Sequence, residues 1–578
     1  MLKPQDIVKI HSVSDLDAAS GKICFTWDKS GKYDVFVAAG DEVYQLTHEN
    51  ESSMSPSVHP QGTKVIVASD KEGSETNGLY LYNAQGGKPE PLVVDNFDNS
   101  GALWSPNGSD FAFLSNRGGD NLNLCVYRKG EIVRLTSGWE PVSSYAWSPD
   151  GNQIVYTKGY VDNSLLTVDL DGNSQTLIKL DQSEHFVTKN GWRDGEILFL
   201  TNRNGWNDLV EVNVKNKVLT WLTVSNHDKW GVWDGRRLVC VEHIGCEDRM
   251  VEFDLERGSQ TKILDTGSVE GLAVDNSDVY YLHSRFDQPT DLFSFNGVTK
   301  RITNSMPAEL EKEEFVAPLE VSVESVGGVR VPVLVYKPRR VLAGLIHIHG
   351  GPDSYSSNEF SPLIQMLVQR GVMVAAPNYR GSTGYGKKYN RLNDGDLGGG
   401  DLEDVVASLR VFEGTTSRIG VEGVSYGGYL TYMCVTKKPK LWTCGVPIVG
   451  FVNWYTEYKN EREYLRYFDT VKFGRPEEVP DKYYDRSPIN FVENVSCPLL
   501  IIHGKKDPRC PFEEASQFLE KMKEKGKEVD ILVFEDEGHG VRKSENRVKE
   551  LTKILGFIEK HLLNSKDFSV DTSLHTNS

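Results

Sequence analysis

No apolar run in the 578 residues approaches the roughly 20 residues that a membrane-spanning helix needs. The opening residues, Met1-Leu2-Lys3-Pro4-Gln5-Asp6, lack the basic-then-apolar pattern of a secretory signal. A cytoplasmic protein with no membrane association is therefore expected. Basic charge is also short. There are 64 Lys and Arg against 82 Asp and Glu, for a net charge of −18, and no basic cluster stands out. The sign argues against nucleic acid as a partner, because its phosphates demand a basic surface. The 8 cysteines are scattered without a C-x-x-C pair, which excludes a zinc-finger site and a disulfide framework. No metal or cofactor is expected. Two glycine-rich stretches, Gly381–Gly386 and Gly395–Gly400, contain neither Gly-Lys-Ser/Thr nor a G-x-G-x-x-G between strand and helix. They read as loops near an active-site rim, not as phosphate cradles.

What is present is length and a repeat. A chain of 578 residues is too long for one core, so at least two domains are expected. From about residue 12 to about residue 305, units of roughly 40–46 residues recur. Each carries a turn marker or its relic: Ala18-Ala19-Ser20-Gly21, His59-Pro60-Gln61-Gly62, Ser105-Pro106-Asn107-Gly108, Ser148-Pro149-Asp150-Gly151, Trp192-Arg193-Asp194-Gly195, Val232-Trp233-Asp234-Gly235 and Val274-Asp275-Asn276-Ser277. Proline presets φ for a turn and Asx-Gly tolerates positive φ. Short strands follow each marker, as at Lys64–Ala68 and Asp110–Leu114. Several strands per unit point to β-propeller blades, and seven markers to seven blades. Two β-sandwiches are the competing architecture, and the even period disfavours them. His185, His227 and His243 are isolated on this background and read as surface or core histidines. Trp104 and Trp147 read as blade-packing residues.

After the charged connector Glu309–Glu314, strands alternate with helices. Strands are expected at Val331–Tyr336, Gly344–Ile348, Val372–Ala375, Cys444–Val449, Leu499–His503 and Val529–Phe534, with helices at Asp401–Phe412, Phe512–Lys525 and about Ser544–Leu563. The pattern is that of an α/β-hydrolase domain with a mostly parallel sheet. The expected division is an N-terminal extension at 1–11, the seven-bladed β-propeller at 12–308, the hydrolase at 309–564 and a polar tail at 565–578.

Within the hydrolase, an apolar run ends in Gly423-Val424-Ser425-Tyr426-Gly427, with helix-compatible residues after it. That is the strand–turn–helix setting of a nucleophile elbow. A serine hydroxyl needs a base, and the base needs an orienting acid. The strand ending at His503-Gly504 runs into Asp507, and the next runs into Glu537-Gly538-His539-Gly540. Ser425, Asp507 and His539 follow in the chain order this fold uses, each at a strand's carboxyl end. They are the expected catalytic nucleophile, orienting acid and general base. The oxyanion donors are expected to be the amide of Tyr426 and that of Gly351, with Gly350 as the alternative. Gly351 lies in His349-Gly350-Gly351-Pro352, where small residues let backbone amides approach a substrate.

The pairing of a seven-unit propeller with this hydrolase resembles the prolyl oligopeptidase family of serine peptidases. His349–Pro352, Asn378-Tyr379-Arg380-Gly381-Ser382-Thr383-Gly384-Tyr385-Gly386, Gly423–Gly428 and Asp507-Pro508-Arg509 look most like its acylaminoacyl-peptidase branch, over roughly residues 340–560. The resemblance implies a propeller that caps the site and admits only peptides or small unfolded chains. It also implies that Arg509 binds a substrate carbonyl and that the first dozen residues pack on the hydrolase. The glutamate pair with which the dipeptidyl-peptidase branch holds a free amine is not readable here, which favours blocked N-termini. Cys510 replaces a usual aliphatic residue and is expected to confer sensitivity to thiol reagents. The aromatic segment Phe451–Tyr484 is expected mainly to pack, with some rings lining an apolar specificity pocket. The expected function is hydrolysis of short peptides, or of a small acyl-amide or ester substrate, with release of N-acylated amino acids. A dipeptidyl-peptidase or oligopeptidase, and an esterase or amidase acting on a metabolite, are the alternatives within enzymes. An interaction protein with a vestigial hydrolase is the alternative outside them. A homo-oligomer is compatible with the sequence.

Overall fold

The computed structural model describes residues 1–563 apart from 72, 120, 234–235 and 255. The expected tail at 565–578, and Asp234-Gly235 of the sixth turn marker, lie outside the described residues. Seven four-stranded antiparallel sheets follow one another along the chain, from Val13–Ala19 in the first to Thr299–Arg301 in the last. Each is made wholly of consecutive strands.

The turn markers account for the hairpins. In Ser148-Pro149-Asp150-Gly151, the Gly151 amide donates to Ser148 O at 2.9 Å, and the Gln153 amide donates to Ser148 Oγ at 2.9 Å. Gly151 takes φ +70°, a region that glycine enters without steric cost. Neighbouring blades are stitched by the expected tryptophans. The indole of Trp104 donates to Ser57 O at 3.1 Å and that of Trp147 to Leu103 O at 3.0 Å, each in the preceding blade. The ring closes without a shared strand. Val13, Phe25 and Phe36 of the first blade pack on Tyr280, Leu282 and Leu292 of the seventh.

The second architecture is an eight-stranded sheet. Its spatial order is Leu319–Glu324, Arg330–Tyr336, Val372–Pro377, Ala343–Ile348, Ile419–Val424, Cys444–Ile448, Leu499–Gly504 and Val529–Phe534. The first two strands pair antiparallel and the remaining six run parallel. Side chains alternate between two cores, as the two-residue period of a strand requires. Leu499 and Ile501 enter the core under the helix Phe512–Glu524, whereas Leu500 and Ile502 enter the core under Ser544–His561. Such strands are buried on both faces and therefore read as unbroken apolar runs. Ile501→Ala, at a fully buried position, is expected to cost about 2–5 kcal/mol, read as a lower denaturant midpoint.

The sequence reading missed the edge strand Leu319–Glu324, the helix Pro362–Gln369 and the short helices Trp454–Asn460, Glu463–Lys472 and Pro480–Asp485 inside the aromatic segment. The helix expected over Asp401–Phe412 is an α-helix, Gly400–Ala407, that tightens into a 3-10 turn at Ser408–Phe412. Leu2, Ile7 and Ile10 are buried in the hydrolase core beside Leu551 and Ile554. Among the described residues no helix is long and apolar enough to cross a membrane.

Candidate active site

Strand order reverses around Ala343–Ile348, the strand beside Ile419–Val424. In open α/β sheets this is where ligands bind, beyond the strands' carboxyl ends. Ser425 stands there, between the strand Ile419–Val424 and the helix Tyr426–Lys437. Its φ of 59° and ψ of −122° lie outside the ordinary regions for a residue with a Cβ. The backbone holds the distortion: the Ser425 amide donates to Ile448 O at 2.9 Å, and Ser425 O accepts from the Tyr429 amide at 2.9 Å.

The flanking glycines are a steric necessity. A Cβ on Gly423 would sit 2.4 Å from Gly427 O, and one on Gly427 would sit 2.1 Å from Ile348 O. Gly427→Ala is therefore expected to reduce turnover by at least about tenfold through displacement of the elbow, because misplacements of an ångström cost more than this at reacting centres. A steady-state assay on folded variant checks it.

The imidazole of His539 bridges to two elements. Its Nε2 lies 2.9 Å from Ser425 Oγ, and its Nδ1 lies 2.9 Å from Asp507 Oδ1 and 2.8 Å from Oδ2. Asp507 Oδ1 also accepts the Arg509 and Cys510 amides at 2.9 and 3.0 Å. Burial opposes the charge on Asp507, yet hydrogen bonds from His503 and His539 outweigh it and hold the carboxyl well below the usual carboxylate range. An ionised Asp507 only accepts, so Nδ1 of His539 carries a proton. In the neutral ring Nε2 then presents its lone pair to the Ser425 hydroxyl.

Two supporting residues were missed from sequence. His503 is buried with its Nε2 2.8 Å from Cys510 O and 3.4 Å from Asp507 Oδ2. The carbonyl only accepts, so Nε2–H points at this pair and braces the carboxylate. Glu537 accepts the Lys543 amide at 3.1 Å and Asn546 Nδ2 at 2.8 Å, pinning the loop that carries His539. A histidine four residues before the acid, and a glutamate two before the base, were the available signals. Neither is distinctive without coordinates.

The loop His349-Gly350-Gly351-Pro352 is pressed against the elbow. A Cβ on Gly350 would lie 3.3 Å from Ser425 Cβ and 3.9 Å from its Oγ. Gly351 takes φ +119°, closed to other residues. His349 fixes this loop through Ser382 Oγ at 2.8 Å and Gly350 O at 2.7 Å, and it stacks on Tyr379 at 4.2 Å. Burial lowers the His349 pKa to about 4, so the ring is a neutral strut. Tyr426 begins its helix, where first-turn amides have no intrahelical acceptor and favour an anion. Its phenol is buried and donates to Asp401 Oδ2 at 2.6 Å.

Arg509 does not stand free. Its Nε donates to Glu75 Oε2 of the propeller at 2.9 Å. Arg542 reaches Asp70 and Glu75, and Arg462 reaches Asp98, so the propeller touches the rim through ion pairs. The Gly381–Gly386 loop meets the propeller too, with the Gly386 amide donating to Asp228 Oδ2 at 2.9 Å. Gly395–Gly400 packs beneath the elbow helix, where the Gly398 amide donates to the Tyr426 hydroxyl at 3.1 Å. The thiol sensitivity expected of Cys510 is not supported. The thiol is buried, and burial pushes its pKa well above the ordinary value, so little reactive thiolate exists. Among the described residues no group of three His, Cys, Asp or Glu side chains is arranged to hold a metal ion.

A propeller set over a doubly covered parallel sheet, with a strained serine elbow at the switch point, defines a propeller-capped α/β-hydrolase. The prolyl oligopeptidase family model matches residues 358–565, and a TolB β-propeller domain model matches residues 17–193. Residues 358–565 are thus a prolyl oligopeptidase family domain, and the protein is a serine peptidase. A Bacillus subtilis protein described as the uncharacterised peptidase YuxL is 23% identical over 88% of this chain and 98% of its own length. Dipeptidyl peptidase family member 6 of Caenorhabditis elegans is 34% identical, over 38% of this chain and 31% of its own. Acylamino-acid-releasing enzyme 1 of Oryza sativa is 28% identical, over 38% and 30%. This chain thus spans less than a third of those last two proteins. A puromycin-hydrolysing peptidase of Mycobacterium tuberculosis shares the fold at a TM-score of 0.86 and 18% identity, over 97% of this chain and 96% of that one.

Proposed function

We propose that this peptidase hydrolyses short peptides through an acyl-enzyme and releases N-acylated amino acids from blocked peptides. Ser425 attacks the scissile carbonyl, His539 takes its proton and later returns it to the leaving amine, and Asp507 holds the ring. The amides of Tyr426 and Gly351 receive the oxyanion, each donor lowering the barrier by about 2.7–4 kcal/mol. Arg509 takes a substrate carbonyl once the substrate competes with Glu75. In this reading the propeller, residues 12–308, restricts entry to the hydrolase, residues 309–564. The observation that carries it is the continuous chain from Ser425 Oγ through His539 to Asp507, at 2.9 and 2.8 Å.

A second reading, removal of dipeptides from free N-termini, has support from Glu75. It brings a propeller carboxylate to the rim at Arg509, and the 34%-identical relative is called a dipeptidyl peptidase. Fluorophosphonate labelling, followed by rates on acetyl-aminoacyl anilides, free-amine dipeptidyl anilides and p-nitrophenyl esters, separates these readings. Faster turnover of the acetylated substrates is expected. Faster turnover of the free-amine series assigns the second reading, and absence of labelling on folded protein rejects both.

A further inference from the structure

Beside the triad lies a group of carboxyl side chains that no cation among the described residues holds in a side-chain ion pair. Glu457 and Glu461 come from the helix Trp454–Asn460 and the residue that ends it, and Asp469 comes from the following helix, Glu463–Lys472. They are 3%, 5% and 9% exposed. The carboxyls of Glu461 and Asp469 touch each other, and Glu457 meets the thiol of Cys510. The Cys510 amide in turn donates to Asp507 Oδ1 at 3.0 Å. The acids therefore begin one side chain away from the triad carboxylate.

Two strand ends wall this group. The segment Val449–Asn453 leaves the strand whose last residue, Ile448, accepts the Ser425 amide at 2.9 Å. The segment Lys505–Cys510 leaves the adjacent strand, Leu499–Gly504. Glu514, from the helix Phe512–Glu524 that follows the second segment, holds the first, its Oε2 accepting the Val452 and Asn453 amides at 3.0 and 2.9 Å. The acids thus face the same rim as the nucleophile.

Their bonding is incomplete. Glu457 Oε2 and Glu461 Oε1 are buried with no hydrogen-bond partner. Among the described residues the neighbouring cations hold other partners, although Arg466, which donates to the Glu461 carbonyl, partly offsets the charge on that side chain. Arg462 donates to Ser74 O at 2.6 Å and faces Asp98; Arg466 holds Glu463 and main-chain carbonyls; Lys472 pairs with Asp353 at 3.0 Å and Asp394 at 2.9 Å. Buried acceptors are seldom left unpaired, and orphaned ones call for an explanation. Burial pushes all three carboxyls above the usual carboxylate range, so their charged form is unfavourable here unless a cation comes beside them. Four of the rings of the aromatic segment are accounted for in the core or on the surface. Trp454 and Tyr483 are consumed in the core with Phe473, and Tyr455 and Tyr484 lie on the surface.

We propose that Glu457 and Glu461, backed by Asp469, receive a basic side chain, lysine or arginine, on the residue whose carbonyl Ser425 attacks. The assignment rests on the serine-peptidase reading of Ser425 and adds the substrate class to it. A guanidinium or ammonium gives the orphaned oxygens their donors and the buried acids their counter-charge, so it is selected over an apolar isostere of the same length.

The test compares matched acetyl-X-p-nitroanilides in which X is lysine, arginine, norleucine or phenylalanine. Lysine and arginine are expected to exceed norleucine in kcat/KM by at least about 100-fold, because a site with buried polar groups rejects a ligand that leaves them unpaired. Equal or faster turnover of norleucine overturns the proposal. In E457Q/E461Q the lysine-to-norleucine ratio is expected to fall at least about tenfold, and an unchanged ratio overturns it. If that variant does not fold, benzamidine on the wild-type protein decides: competitive inhibition is expected, and none overturns the proposal. Failure of fluorophosphonate to label the wild type sinks the peptidase reading itself. Labelling with apolar preference sinks this pocket alone.

Discussion

Ser425→Ala is expected to lower kcat by about 10⁴–10⁶-fold, the range over which loss of a triad nucleophile acts in serine hydrolases. Little else in the site should change. Alanine meets the same backbone constraint as serine at φ 59°, since both carry a Cβ. The helix Tyr426–Lys437 keeps its first-turn amides, and the loop at Gly350 and Gly351 keeps its packing on the elbow. Substrate binding should survive, so KM is expected to move by less than about tenfold while kcat collapses. Stability should stay within about 0.5 kcal/mol, as for a substitution that leaves no buried cavity or orphaned group. Single-turnover assays with fluorophosphonate labelling check this. Substantial turnover, or a label that persists in the variant, refutes the assignment of Ser425 as the nucleophile.

The second large effect falls on the acid. Asp507→Asn is expected to cost about 10⁴-fold at neutral pH, as in triads whose acid is amidated. The carboxylate accepts from four directions: the Arg509 and Cys510 amides, His539 Nδ1 and the His503 ring. An asparagine has one acceptor oxygen. If that oxygen stays with the two amides, its NH₂ group confronts His539 Nδ1 and must be accepted there. The ring is driven to the tautomer with hydrogen on Nε2, which then donates towards Ser425 instead of receiving its proton. The pH profile adds a sign. Because the folded state holds Asp507 well below the usual carboxylate range, its ionisation stabilises the fold above the unfolded-state pKa. That contribution is lost as pH falls through the folded-state value. The asparagine variant should thus lose stability at neutral pH and show a shallower decline on acidification. A parallel decline in both proteins would contradict the coupling.

Much of the fold was readable because its signals are local. The Ser-Pro-Asx-Gly turns announce hairpins through the conformations their own residues prefer. The apolar runs at Val372–Pro377 and Leu499–Gly504 announce strands covered on both faces. The edge strand Leu319–Glu324 was missed although it alternates apolar and polar residues, because the alternation lasts only six residues and one of them alone is buried. The strut His503, the anchor Glu537 and the acids Glu457 and Glu461, each with one unpaired oxygen, were illegible for another reason. Each is an ordinary polar residue whose role comes from neighbours distant in the chain.

By itself, the sequence determined the repeat, the elbow, and the order of serine, acid and histidine. All three are written in residue types at short range or at strand ends. Only the tertiary structure decided that Arg509 meets Glu75 of the propeller, that Cys510 is sealed from solvent, and that three carboxyls share a dry corner beside the triad. Burial and long-range pairing are properties of the assembled interior, where desolvation and the geometry of distant partners set the energy of a charge.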